Sequence, residues 1–273
     1  MKTVKACFST LGCCERSLAD VIGLAKEYEM EALEIRGLYG TVKNEAIADF
    51  SEENREKTKR MIAQAGLSLA VLGTSCAFHD PEKHEDAIEE GKRAIEIAAQ
   101  LGFSAIRVFG NVIKGDEADC TARVISGIRT LCEYAEGTGV DVLLEVHGDF
   151  NTEARLRAVT DGCGDLPRFG LLWDVCHTRK TYGSAWRDLI AAFLPYIRHV
   201  HLKDVRDDRL VLPGDGELPL REMIDALTEA GYDGYLSLEW EKKWHPDLPE
   251  IEEALERYRG LFEKSTDIID TGR

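Results

Sequence analysis

No stretch of the 273-residue chain comes near 18 consecutive apolar residues, which excludes a transmembrane helix. The opening MKTVKACFSTLG has one short apolar segment broken by Lys5 and no signal-peptide core, so a cytoplasmic location is expected. Basic charge is in deficit: 34 Lys and Arg stand against 50 Asp and Glu, a net charge of −16. A surface of that sign repels both a phosphate backbone and an anionic bilayer, so neither nucleic acid nor membrane is an expected partner. There is no CxxC pair among the eight cysteines (Cys7, Cys13, Cys14, Cys76, Cys120, Cys132, Cys163 and Cys176) and no framework spacing. Cysteines scattered through apolar runs behave as small buried hydrophobes in a reducing compartment, which outweighs a reactive thiol at Cys13-Cys14. A dinucleotide-type glycine fingerprint is missing, as are linkers, low-complexity stretches and shifts of composition.

What is present is a regular alternation. Strands are expected at Val4–Ser9, Ala32–Arg36, Ser68–Gly73, Ala105–Phe109, Asp141–Val146, Gly170–Val175, His199–Lys203 and Tyr235–Trp240. Helical periodicity fills the intervals at Ser17–Met30, Ser51–Ala65, His84–Leu101, Ala118–Glu136, Thr152–Thr160, Ser184–Leu194, Leu220–Ala230 and Leu248–Lys264. Ser17 followed by Asp20 reads as a capping box, and Gly66 and Gly102 as helix stops. Strands alternating with helices imply parallel crossovers, and eight such units imply a closed barrel over an open sheet. The fold class expected is thus α/β, a single-domain (β/α)8 barrel over residues 1–273, with 265–273 as a loose tail.

Chemistry in such a barrel sits at the C-terminal ends of the strands. The first four strands offer only Glu34, Arg36 and Arg107. The last four end in ionisable groups: Glu145 and His147, then Asp174 and His177, then His199, His201, Lys203 and Asp204, then Glu239 and Glu241. Any one of these is unremarkable, since a lone carboxylate is usually a salt bridge and a lone strand histidine usually core. Four at consecutive strand ends form a ligand set. Glu145, Asp174, His201 and Glu239 should converge, because neighbouring strands lie less than about 5 Å apart. Three oxygens and one imidazole suit one divalent ion, with Mn, Co or Mg preferred and Zn allowed. Trp173 and Trp240 flank these ligands, as sugar platforms or as barrel packing, and the charged Glu250–Arg259 helix reads as an outer face.

The segments LLEVHG, Trp173-Asp174-Val175-Cys176-His177, His201-Leu202-Lys203-Asp204, Leu238-Glu239-Trp240 and the PGDGELPL of Pro213–Leu220 carry a resemblance. Through them the chain resembles, along essentially its whole length, the sugar phosphate isomerase/epimerase superfamily of xylose isomerase-like or AP-endonuclease-2-like barrels. The resemblance implies that Glu145 and Glu239 are the acid–base pair as well as metal ligands, and that His177 binds a substrate oxygen. It also implies a substrate-binding arginine near Arg206, and His147 joins the substrate-binding set by sharing a face with Glu145. The activity implied is isomerisation or epimerisation of a small keto-sugar or keto-polyol. A proton would move through a metal-bound enediolate, with one carboxylate on each face of the substrate.

Three rivals follow. Superfamily nucleases that cut DNA with three zinc ions need further ligands, but the corresponding positions here read Leu72-Gly73-Thr74, Phe109-Gly110-Asn111 and Asp215-Gly216-Glu217. Dehydratases of the inosose or dehydroshikimate type begin with the same proton removal and then expel a hydroxyl. A catalytically silent sugar-binding barrel need not keep the ligand set. The loops after the first three strands show no phosphate cradle, and a homo-oligomer is in keeping with barrels of this kind.

Overall fold

The computed structural model describes residues 4–263; the tail expected at 265–273 and the end of the last helix at Lys264 lie outside the described residues. The strands are β1 (Lys5–Ser9), β2 (Ala32–Ile35), β3 (Ser68–Ala77), β4 (Phe103–Phe109), β5 (Asp141–Glu145), β6 (Phe169–Asp174), β7 (Ile197–Leu202), β8 (Asp204–Arg206), β9 (Arg209–Val211) and β10 (Tyr235–Leu238). All but β8 and β9 form a closed parallel barrel in the order β1-β10-β7-β6-β5-β4-β3-β2. The expected eight-stranded barrel is therefore the fold. The short β8–β9 pair is an antiparallel hairpin after the seventh barrel strand, which the periodicity did not foreshadow.

The helices are α1 (Leu18–Glu27), α2 (Arg55–Ala65), α3 (His84–Leu101), α4 (Glu117–Tyr134), α5 (Glu153–Cys163), α6 (Val175–Tyr182), α7 (Trp186–Phe193), α8 (Leu220–Glu229) and α9 (Ile251–Gly260). Ser17 and Asp20 close the predicted capping box on α1, and Gly66 ends α2 at φ 72°, a region where other residues pay a steric cost. One boundary differs in an informative way. The sixth strand was expected to run through Val175, but α6 begins there, because the Asp174 side chain accepts from the amides of Cys176 and His177 and caps the helix. No helix among the described residues is long and apolar enough to cross a membrane.

Two apolar cores result from strand parity. One lies between the strands' outer faces and the helices and includes Phe8, Leu33, Ile106, Leu144, Trp173, Leu202 and Trp240. The other fills the lower barrel interior with Cys7, Ala32, Ala70, Val71, Ala105, Leu143 and Leu172. All eight cysteines are free and buried, and burial pushes the thiols of Cys13, Cys76 and Cys163 up to about 12.

Candidate active site

Two residues further along the same inward-facing positions, the apolar plug gives way to ions: Ala32 to Glu34 and Arg36, Ala105 to Arg107, Leu143 to Glu145, and Leu172 to Asp174. On β7 and beyond β10 the inward set is His199, His201 and Lys203, then Glu239 and Glu241. Glu145, Asp174, His201 and Glu239 are all buried, and one potential ligand atom from each lies within 4.8 Å of the others. The predicted convergence is thus present.

Each member is held by its other atom. Asp174 spends Oδ1 on the α6 cap at 2.8 and 3.0 Å, which leaves Oδ2 turned to the centre. The Nε2 of His201 is 2.9 Å from Glu34 Oε2, so Nδ1 faces Asp174 at 3.7 Å and Glu239 at 3.3 Å. Glu34 also takes His199 Nε2 at 2.8 Å, and one buried carboxylate thereby fixes both rings of the strand.

Two buried cations complete the cluster. Arg107 Nη1 lies 3.0 Å from Glu145 and 3.6 Å from Glu239. Lys203 Nζ lies 2.9 Å from Asp174, 2.6 Å from Glu239 and 2.5 Å from Glu241. Even so, Glu145 Oε2, Asp174 Oδ2 and His201 Nδ1 are buried without a hydrogen-bond partner. Charged neighbours still stand close to each: Arg107 Nη1 is 3.0 Å from Glu145 Oε2, Lys203 Nζ 2.9 Å from Asp174 Oδ2, and Glu239 Oε1 3.3 Å from His201 Nδ1. Buried polar atoms are nearly always hydrogen-bonded, so three that have only ion-pair contacts and face one point leave a place for a ligated cation. Around that point Glu34, Glu145, Asp174, Glu239 and Glu241 outnumber Arg36, Arg107, Lys203 and a protonated His201 by one charge. The residues fit a divalent cation, with three carboxylates and an imidazole as donors.

The proton affinities follow from this crowding. Burial, reinforced by Glu239 against the pull of Arg107, raises Glu145 above the usual carboxylate range. Burial also opposes ionisation of Glu239, but His201 and Lys203 outweigh it and hold that group well below. His201 is raised well above an ordinary imidazole because Glu239 and Glu34 overcome its desolvation. Burial lowers His147 and His177, so both are neutral at pH 7. Their rings meet edge to face with centroids 4.1 Å apart.

These groups open into a cavity of about 190 Å³ lined by Leu11, Arg36, Arg107, Phe109, Glu145, His147, His177, Lys203, Glu239, Glu241 and Trp244. A larger groove of about 630 Å³ runs beside α6, α7 and the start of α8, but its cations are already paired: Arg179 and Lys180 with Asp208, and Arg187 with Glu222.

Of the residues expected at the site, Glu145, Asp174, His201, Glu239, His147 and His177 are brought together. Arg206 is not. It is exposed on the β8–β9 hairpin and donates to the carbonyl of Asp215. Trp173 and Trp240 are packing residues, their indole N–H groups bonded to Thr178 Oγ1 and the Pro249 carbonyl. Of the pair Lys203 and Asp204, Lys203 enters the cavity, while Asp204 accepts the amides of Gly214, Gly216 and Leu218 and anchors that loop. Glu34, Arg36, Arg107, Glu241 and the half-exposed Trp244 were given no part in the expected site. Two-residue spacing was a signal here, since Glu34–Arg36 and His199–His201–Lys203 each share one face.

The profile of the xylose isomerase-like TIM barrel family matches residues 22–261. Fructoselysine 3-epimerase of Shigella flexneri is 27% identical over 203 residues, 67% of this chain and 69% of that protein. Inosose dehydratase of Serratia proteamaculans is 31% identical over 143 residues, 44% of this chain and 47% of that protein. Among solved structures, the probable 3-DHS dehydratase AsbF of Bacillus anthracis superposes with a TM-score of 0.79 at 18% identity, covering 96% of this chain and all of that one. The IolI protein with a bound zinc atom superposes at 0.76 and 20% identity, covering 94% and 96%. At these identities the structural likeness speaks for the fold.

Proposed function

The chain belongs to the xylose isomerase-like TIM barrel family, and from that premise we propose that it is a divalent-metal-dependent sugar isomerase or epimerase. It would move a proton on the carbon beside the carbonyl of a small ketose or keto-polyol. The observation that carries the reading is a pair of buried carboxylates, Glu145 and Glu239, beside atoms of Glu145, Asp174 and His201 that make ion pairs but no hydrogen bond and converge within 4.8 Å.

Glu145, Asp174, His201 and Glu239 would hold a divalent ion, which when bound would supply Lewis-acid stabilisation of charge on the carbonyl oxygen. The chain's own groups do the rest. Glu145 and Glu239 leave strands separated by β6 and β7, so they meet a bound substrate from different sides. One removes the proton and the other returns one, which inverts the carbon when the faces are opposite. Arg107, within 3.6 Å of both, favours the ionised form of each and holds their spacing. His147 and His177, neutral and lining the cavity, hydrogen-bond substrate hydroxyls. The likeness to fructoselysine 3-epimerase supports this class of reaction.

Dehydration is the second reading, and Lys203 is the observation behind it. Its ammonium is buried among Asp174, Glu239 and Glu241, which hold its proton firmly, and from there it can hydrogen-bond a departing hydroxyl and stabilise the charge that develops on it. The likeness to inosose dehydratase favours this course. Both readings require the same first step. The test is ¹H NMR of keto-sugars and keto-inositols incubated with Mn-loaded protein in D₂O. Deuterium uptake beside the carbonyl, abolished in Glu239→Gln, supports proton transfer. An epimeric product separates epimerase from dehydratase, whose product shows a new alkene signal. Metal-loaded protein that exchanges none of them leaves the silent sugar-binding barrel as the better reading.

A further inference from the structure

Arg36 continues the inward face of β2 one position beyond Glu34 and lines the cavity. It is 7% exposed. Its side chain donates to the Val42 carbonyl at 3.2 Å and to Ser75 Oγ at 3.1 Å. A guanidinium has five N–H donors, and these two bonds leave the remainder free. The other two buried cations of the cavity touch two and three carboxylates, whereas no carboxylate among the described residues lies within 4.0 Å of Arg36. An unpaired buried charge is costly. Burial and the neighbouring charge of Arg107 lower its proton affinity to about 10 against the longer-range pull of Glu90 and Glu239, neither of them in contact with it, which still leaves it a full cation at neutral pH. The chain also makes room for it: a Cβ at Gly73 would come 2.5 Å from Arg36 Cδ, so only glycine admits the stem across β3.

We propose that Arg36 is the anion-recognition residue of this cavity and that the substrate carries a carboxylate: a keto-sugar acid in preference to a neutral ketose. The inference rests on the proton-transfer reading above and adds the substrate class. A planar guanidinium matches a carboxylate in two parallel bonds. A guanidinium forks onto a phosphate equally well, so the choice between the two anions falls to the surrounding loops. Barrels hold phosphates on backbone amides of the loops after the last two strands, and here the Gly214, Gly216 and Leu218 amides are already committed to Asp204. The 190 Å³ cavity is also below the usual range of ligand pockets, about 300–1,000 Å³, which favours a single small ring or chain.

Two matched pairs test this: D-fructuronate against D-fructose, and D-tagaturonate against D-tagatose, each pair differing only in a terminal carboxylate. Calorimetric titration of the Mn-loaded protein should show at least one acid bound about 10- to 100-fold more tightly than its neutral partner, the scale of a charge-assisted hydrogen bond. In Arg36→Gln the ratio should fall to near one, with the neutral ketose unchanged within about twofold. Arg36→Lys should keep part of the preference. A ratio near one in the parent protein, or one that survives in Arg36→Gln, overturns the proposal. So does an equal loss for both members of a pair, which marks a structural role. Deuterium exchange run on the same samples separates the two ideas. Exchange of neutral ketoses with no acid preference leaves the reaction class standing and removes the subsite. An acid preference lost in Arg36→Gln without any exchange does the reverse.

Discussion

The lower and upper halves of the barrel interior use the same eight strands for opposite ends. Below, Ala32, Ala70, Ala105, Leu143 and Leu172 form a dry plug in which no side chain has a polar choice to make. Above, within one step of side-chain alternation, nearly every inward residue is ionised and touches an opposite charge. The plug lets small and large apolar residues set how closely the strands approach. The mouth then inherits that spacing, and four ligand atoms fall within 4.8 Å of one another without long loops to position them. His199, level with Leu172 and Tyr235, is a polar residue at the lower rank, and Glu34 reaches it and His201 together. Glu34 is therefore the stitch between the halves.

The contrast breaks most severely from above. Glu239→Gln removes a ligand and half of the acid–base pair, and should cost about 10³-fold or more in exchange rate, within the range of positioned acid–base groups. Elemental analysis should show the metal lost while the circular dichroism melt stays near the parent. From below, Leu143→Ala should do the opposite, lowering stability by about 2–5 kcal/mol through the cavity it leaves. A urea melt reads that loss, and the rate per folded molecule should stay within a few-fold. Glu34→Gln, at the junction, should weaken Mn binding by about 10- to 100-fold, the usual penalty for removing a group that orients a metal-binding histidine.

The same variant carries a pH signature. In the metal-free protein Glu239 and Glu34 raise the His201 pKa, so a proton competes with the metal for Nδ1 and affinity should fall as pH falls. Without Glu34 that imidazole loses its proton more readily, so the affinity midpoint should move to lower pH. A Mn titration across pH 5–9 checks the sign. The smallest effect is expected at the rim. Trp244→Ala, half-exposed, should change stability by less than about 0.5 kcal/mol, and a change in substrate KM there would extend the functional half outward.

The barrel was legible because its signals are local and repeated. Period-two strands, period-3.6 helices and the stops at Gly66 and Gly102 mark nearly every unit, and α3 falls at His84–Leu101 as expected. Elements with weak or unusual signals were harder to read. The α6 helix starts on a carboxylate cap immediately after a strand, and the three-residue strands β8 and β9 are too short for any period to show. At the site, carboxylates and histidines on four successive strand ends stood out together. Arg107 and Lys203 were given no role: Arg107 was noted as a lone cation on its strand, and Lys203 as one of two neighbours, with Asp204, of which at most one could face the site. Their meaning comes from strands that neighbour them only when the barrel closes. Arg206 failed for the complementary reason: placement by analogy could not foresee that a hairpin would turn it toward the Asp215 carbonyl.

Five of the eight buried thiols give this fold a built-in clock for its own opening. Cys7 lies in the plug, Cys120, Cys132 and Cys163 under the helices, and Cys176 at the first turn of α6 beneath the cavity. A thiol reagent reaches those five only as fast as their surroundings unfold locally or globally, while Cys13 and Cys14 line a groove of about 420 Å³ where it meets them directly. Labelling followed by peptide mass spectrometry would thus rank the segments by opening rate. The same eight groups make air-oxidised refolding hazardous, since a denatured chain exposes all of them at once and mispaired disulfides have no native counterpart to be corrected toward.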